Sequence, residues 1–175
     1  TGGIDLSIGS TFAIVIVSVG KLLVSGVNPF LAFTIGIILG FSLGLVNGIL
    51  VAKVKLQPFI ATLGTMSIYR GVAYIITGGW PILDIPEGFR HALDGDIFGF
   101  IPSSVLLLFI VGILMWIILK YTRFGNYIYA LGSNEEATKL SGVNVDFNKM
   151  LAYAFCGIGA ALAGMVLLAR LGTGE

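Results

Sequence analysis

Five long apolar stretches constrain this chain more than any other feature: Leu6–Val24, Phe30–Ala52, Phe59–Ile76, Ile101–Leu119 and Met150–Ala169. Each is long enough, or nearly so, to cross the roughly 30 Å of hydrocarbon in a bilayer. Within hydrocarbon the backbone must satisfy its own hydrogen bonds, so such segments are helices. Barrel strands would be about half as long and would alternate polar with apolar residues, which these do not. Composition agrees: 57% of residues are hydrophobic and 11% charged, against about a quarter charged in a soluble domain. The expected fold is all-α, a polytopic membrane bundle of about five transmembrane helices in a single domain over residues 1–175. With no initiator Met, an opening at Thr1-Gly2-Gly3 and a stop at Glu175 just after an apolar run, the chain reads as a fragment of a longer one. A net charge of +1 gives no footprint for nucleic acid. The single cysteine, Cys156, lies in an apolar run with no metal-ligand pattern near it, and reads as a small packing residue.

Orientation follows from the basic residues of the loops. If the Lys53/Lys55 loop is cytoplasmic, alternation puts loop 120–149 on the same side. That side then holds Lys53, Lys55, Lys120, Arg123, Lys139 and Lys149, against Lys21, Arg90 and Arg170 outside. The extracytoplasmic loop 78–100 carries Trp80, a short helix near Glu87–Leu93 and the only histidine, His91. It either receives an external partner or seals the outer mouth. Arg70, within the third span, either snorkels to the outer interface or faces a cavity.

Lipid offers no hydrophobic drive for helix association, so small residues at close contacts matter. Gly36, Gly40, Gly44 and Gly48 recur every four residues along one face of the second span. Gly157, Ala160, Ala161 and Gly164 form a second small ridge in the fifth. The opening Gly2-Gly3-Ile4-Asp5-Leu6-Ser7-Ile8-Gly9-Ser10 sets glycines and a carboxylate beside an apolar run. Either Asp5 sits at an interface, or a broken helix restarts there with Asp5 as its cap.

Loop 120–149 is longer than a connector needs. Ser133 followed three residues later by Glu136 is a capping-box spacing. Glu135 and Glu136 suit the positive end of a helix dipole, Lys139 the negative end, and Gly142 a left-handed C-cap. The result is a short helix near Asn134–Ser141, about 12 Å long, with Ala137 and Leu140 on one face and Asp146 placed to cap the next span. Such a helix rests on headgroups or fits a groove on a partner. Its small apolar face and few basic residues are weak for a lipid anchor.

Four stretches, in order along the whole chain, bring a family into view. They are Thr1–Ser10, Gln57–Met66 with Tyr69-Arg70-Gly71, Ala130–Val145 and Gly157–Leu171. Together they resemble the permease subunits of ribose- and xylose-type bacterial ABC importers, a family that includes branched-chain amino acid permeases. The family usually has a second glycine where Ser133 stands. The resemblance implies a multi-pass protein of the bacterial cytoplasmic (inner) membrane and a second permease chain beside it. It also implies a cytoplasmic ATPase that uses ATP and Mg, and an extracytoplasmic sugar-binding protein. Ser133, Asn134, Glu135, Glu136, Ala137, Thr138, Lys139, Leu140, Ser141 and Gly142 would form the ATPase-coupling helix. Asp5, Ser7, Asn47, Gln57, Thr62 and Thr65 are candidates for the sugar pathway, since hydroxyls need donors and acceptors. Asn47 equally suits a bond to a neighbouring helix.

The chain carries no Gly-rich phosphate loop, so it is expected to bind no ATP and no cofactor and not to be an enzyme. No Ser/His pair, aspartate pair or metal set occurs in the spans. A secondary transporter would be expected to show inverted repeats or intramembrane ionisable pairs, and neither is evident. Within the importer class, the Gly-Gly-Ile-Asp-Leu-Ser and Pro-Phe-Ile-Ala-Thr-Leu-Gly-Thr stretches favour a monosaccharide over a branched-chain amino acid.

Overall fold

The structure, a computed structural model, describes residues 1–97 and 101–174. In chain order these form α1 (Ile8–Val24), α2 (Pro29–Ala52), α3 (Pro58–Thr77), α4 (Glu87–Asp94), β1 (Asp96–Ile97), β2 (Ile101–Pro102), α5 (Ser103–Tyr121), α6 (Arg123–Ser133), α7 (Glu135–Leu140) and α8 (Val145–Leu171). The all-α bundle expected from the apolar runs is borne out. The one ladder among the described residues pairs Asp96 with Pro102 and Ile97 with Ile101. Residues 98–100, the last of the loop expected to be extracytoplasmic, lie outside the described residues.

α2, α3, α5 and α8 are long and apolar enough to cross a membrane. α1 is shorter, at 17 residues, or about 26 Å. Its span starts two residues later than Leu6, and the Leu6 and Ser7 N–H groups, which have no partner within the helix, are satisfied by side chains. The Leu6 N–H donates to Thr62 Oγ1 at 3.1 Å, and the Ser7 N–H donates to Asp5 Oδ1 at 2.8 Å. Asp5 therefore does not cap α1; Ser7 holds the N-cap position, and Asp5 binds Ser7. The fourth span starts two residues late, because Ile101 and Pro102 are spent on β2. The fifth starts five residues early. Its cap is Asn144, whose Oδ1 accepts the Phe147 N–H, and Asp146 lies inside the first turn rather than capping it. α2 begins as an Asn-Pro pair dictates: Asn28 caps the Phe30 N–H and Pro29 stands where no donor is needed.

The core is built on α8, with α1 and α2 packed along it. Gly36, Gly40, Gly44 and Gly48 all face inward. A β-carbon at Gly40 would lie 2.5 Å from both Ala161 Cβ and the Gly157 carbonyl, and one at Gly48 would lie 2.7 Å from Met150 Cα. Gly44 meets the Tyr153 carbonyl and Gly157 meets that of Gly40, so the two backbones touch. Gly164 turns to the other neighbour, the Phe12 backbone of α1. Val15, Val19, Leu23, Met165 and Leu168 fill the space between these helices. α5 buries none of its residues.

The two ends of the bundle differ. At one, Lys55 Nζ lies 2.6 Å and Lys53 Nζ 3.7 Å from the Asp146 carboxylate, joining the end of α2 to the start of α8. At the other, α4 lies over the end of α8. Phe89 and Ile85 insert into the core, and Arg90 Nε donates to the Ala169 carbonyl at 3.2 Å. Ile82 pairs with Gly174 there. Lys53, Lys55 and Lys149 thus share the end that carries α7, opposite Arg90.

Candidate functional site

α7 is held firmly and presented openly. α6 runs through Ser133, since the Asn134 N–H still donates to the Ala130 carbonyl. The backbone breaks one residue later, at Asn134 (φ −156°, ψ 105°), whose Oδ1 accepts the Ala137 N–H at 3.0 Å. The cap is therefore Asn134, not Ser133, and the helix is Glu135–Leu140 rather than Asn134–Ser141. Both residues are good caps; the length of α6 decides between them. At the far end Gly142 takes φ +82°, the Gly142 N–H returns to the Lys139 carbonyl and the Val143 N–H to that of Thr138. This is a Schellman closure, as the glycine suggests.

Thr138 anchors the buried side, its hydroxyl donating to the Asn134 carbonyl at 2.7 Å. Glu135, Glu136, Ala137, Lys139 and Leu140 point outward, with Leu140 89% exposed. Lys149 of α8 reaches Glu135 at 2.6 Å. This ion pair and the short link 141–144 join α7 to α8, which the glycine contacts join to α2.

The polar residues of the spans converge elsewhere. Ser7 Oγ donates to Asp5 Oδ1 at 2.7 Å and accepts from Asn47 Nδ2 at 2.6 Å. Thr62 Oγ1 donates to the Pro58 carbonyl at 2.8 Å, and Thr65 Oγ1 to that of Thr62 at 3.2 Å. Ser7, Asn47, Thr62 and Thr65 are buried, so four pathway candidates are turned onto one another and the backbone, tying the unwound segment 1–7 to α2 and α3. Gln57 stands apart, exposed before α3 with no capping bond. Tyr69 and Tyr153 join this cluster. The Tyr69 hydroxyl donates to the Leu43 carbonyl at 3.0 Å, and the Tyr153 hydroxyl abuts Gly3. Tyr153 does not stand out in the sequence, because an aromatic in an apolar run reads as packing.

Cys156 is not in the core. It is exposed, on the side of α8 that faces an apolar gap toward α5 and α6. Among the described residues no cluster of His, Cys, Asp and Glu is placed to hold a metal. α6 is the element that the sequence reading lacks. Its Phe124 packs on Phe155 of α8, with ring centroids 5.4 Å apart.

A family model described as the permease component of the branched-chain amino acid transport system matches residues 1–175. The chain belongs to this permease family. Among its relatives, the ribose import permease protein RbsC of Bacillus subtilis is 44% identical over 98% of this chain and 53% of its own length. RbsC of Escherichia coli K12 is 40% identical over 100% of the chain and 56% of its length. The D-allose transport system permease protein AlsC of the same strain is 38% identical over 99% and 53%. The chain thus spans about half the length of the curated relatives it matches. No solved structure matches it.

Proposed function

We propose that this chain is part of the membrane permease subunit of an ATP-driven importer that moves a monosaccharide across the bacterial cytoplasmic membrane. The observation that carries the reading is α7, a short capped helix that projects from a membrane bundle with an outward face of Glu136, Ala137 and Leu140. A helix so exposed yet so tightly tethered is suited to a groove on a cytoplasmic partner. The relatives named as ribose and D-allose permeases favour a sugar cargo over a branched-chain amino acid.

On this reading Ser133–Gly142 seats on the ATPase, which binds and hydrolyses ATP with Mg, while this chain binds no cofactor. ATP-driven movement of α7 passes through Lys149–Glu135 to α8 and on to α2 and α1, which a second permease chain faces across the pathway. A sugar-binding protein docks at the opposite end, where α4 lies. The Asp5–Ser7–Asn47 chain fixes where α1 begins, so the start of that helix moves with its neighbours.

Co-purification of the full-length permease with its ATPase tests this. Glu136→Arg reverses a charge on the outward face of α7 without touching a core contact. It is expected to abolish both co-purification and ATP-dependent uptake while the permease still folds. Sugar transport by the purified permease alone would instead make it a secondary carrier.

A further inference from the structure

Arg70 lies on α3 eight residues before Gly78, about 12 Å below the outer end of that helix at 1.5 Å per residue. A guanidinium at such depth is costly in hydrocarbon unless it meets water or a polar partner. Among the described residues Arg70 forms no ion pair. It opens instead into a groove of about 560 Å³ between α1 and α3, within the roughly 300–1,000 Å³ range of small-molecule sites. The groove runs past Tyr74 and Thr77, one and two turns further out, to Trp80 at the outer mouth, with Ser10 of α1 on its facing wall. Trp80 is 78% exposed and Tyr74 68% exposed.

We propose that this groove, not the buried cluster around Asn47, is the wall along which the sugar travels, with Arg70 as its inner hydrogen-bonding station. The chemistry fits a neutral polyhydroxylated ring. The guanidinium offers a fork of donors to ring hydroxyls. The aromatic faces of Trp80 and Tyr74 carry negative π charge that attracts the polarised C–H face of a sugar. Ser7, Thr62 and Thr65 have spent their hydroxyl donors inside the bundle, whereas Arg70, Tyr74 and Trp80 are exposed along the groove. The assignment rests on the importer reading above and names the surface that serves it.

The test uses the full-length permease with its ATPase and binding protein in proteoliposomes, with radiolabelled ribose as probe. Arg70→Gln is expected to lower uptake at least tenfold while the permease still co-purifies with the ATPase, and Arg70→Lys is expected to restore part of it. Trp80→Ala, at an exposed position, is expected to raise the apparent KM more than it lowers the maximal rate. Thr77→Cys, in a Cys156→Ser background, is expected to react with a membrane-impermeant thiol reagent added outside, and ribose is expected to slow that reaction. Wild-type uptake by Arg70→Gln, or an unreactive Thr77→Cys, would overturn the groove assignment, the second because lipid or another helix then covers it. Absence of sugar uptake by the unaltered complex would contradict the importer reading instead.

Discussion

α5 is the most apolar of the membrane-length helices, more so than α2 or α8. Yet α2 and α8 lock together along their whole lengths, and α5 buries nothing. The difference is made by side-chain size. α2 offers a glycine every fourth residue and α8 answers with Gly157, Ala161 and bare carbonyls, so two backbones approach and dispersion and Cα–H···O contacts accumulate. α5 offers Leu108, Phe109, Ile113 and Trp116, bulky side chains that hold a neighbouring backbone away. Apolarity puts a helix in the membrane; small residues decide whom it touches there.

The largest effect that should sharpen this comparison comes from one substitution made in each region. Gly44→Leu drives a side chain into the Tyr153 carbonyl of α8, and overpacking typically costs about 1–3 kcal/mol, occasionally more. The folded, monodisperse fraction in detergent should largely vanish. Gly112→Leu on α5, where nothing lies within 4 Å of an added β-carbon, should leave the melting temperature unchanged. Equal losses from both would break the comparison.

Asn47→Leu should have a smaller effect. It removes the bond to Ser7 Oγ at 2.6 Å but leaves Ser7 held by Asp5, and a hydrogen bond between membrane helices is worth about 1 kcal/mol. A thermal shift in detergent reads it, and a loss as large as that of Gly44→Leu would move the centre of stability from the glycine seam to the polar cluster.

The smallest effect is expected of Asp146→Asn. Its partners Lys53 and Lys55 have side chains 58% and 62% exposed, and an ion pair so open to solvent contributes under about 1 kcal/mol. Its shift should be slight and should disappear at high salt.

What the sequence makes legible follows the same division. The spans, their helical nature and the glycine face of α2 are readable because length and a four-residue period are local properties. So are the Gly142 turn and the short helix α4 over the end of α8, which a left-handed glycine and a few amphipathic residues announce. α6 is not readable: Arg123–Ser133 is short, holds Gly125 and Gly132, and gains its order from packing Phe124 on α8. The cap of α7 slips by one residue for the same reason, since Ser133 belongs to a helix that the sequence does not declare. The fates of Ser7, Asn47 and Thr62 are set by which helices adjoin, and that is a tertiary fact. Their types show that they need partners, but not whether those partners are sugar hydroxyls or one another.

The account stands on α7 facing the cytoplasm with a partner upon it. In the full-length permease, Leu140→Cys with Cys156→Ser can be probed with a membrane-impermeant maleimide in right-side-out and inside-out vesicles. Labelling is predicted only in inside-out vesicles, and it should fall when the ATPase is bound. Labelling in right-side-out vesicles would put α7 outside, beyond the reach of any ATP-driven motor, and would contradict the account.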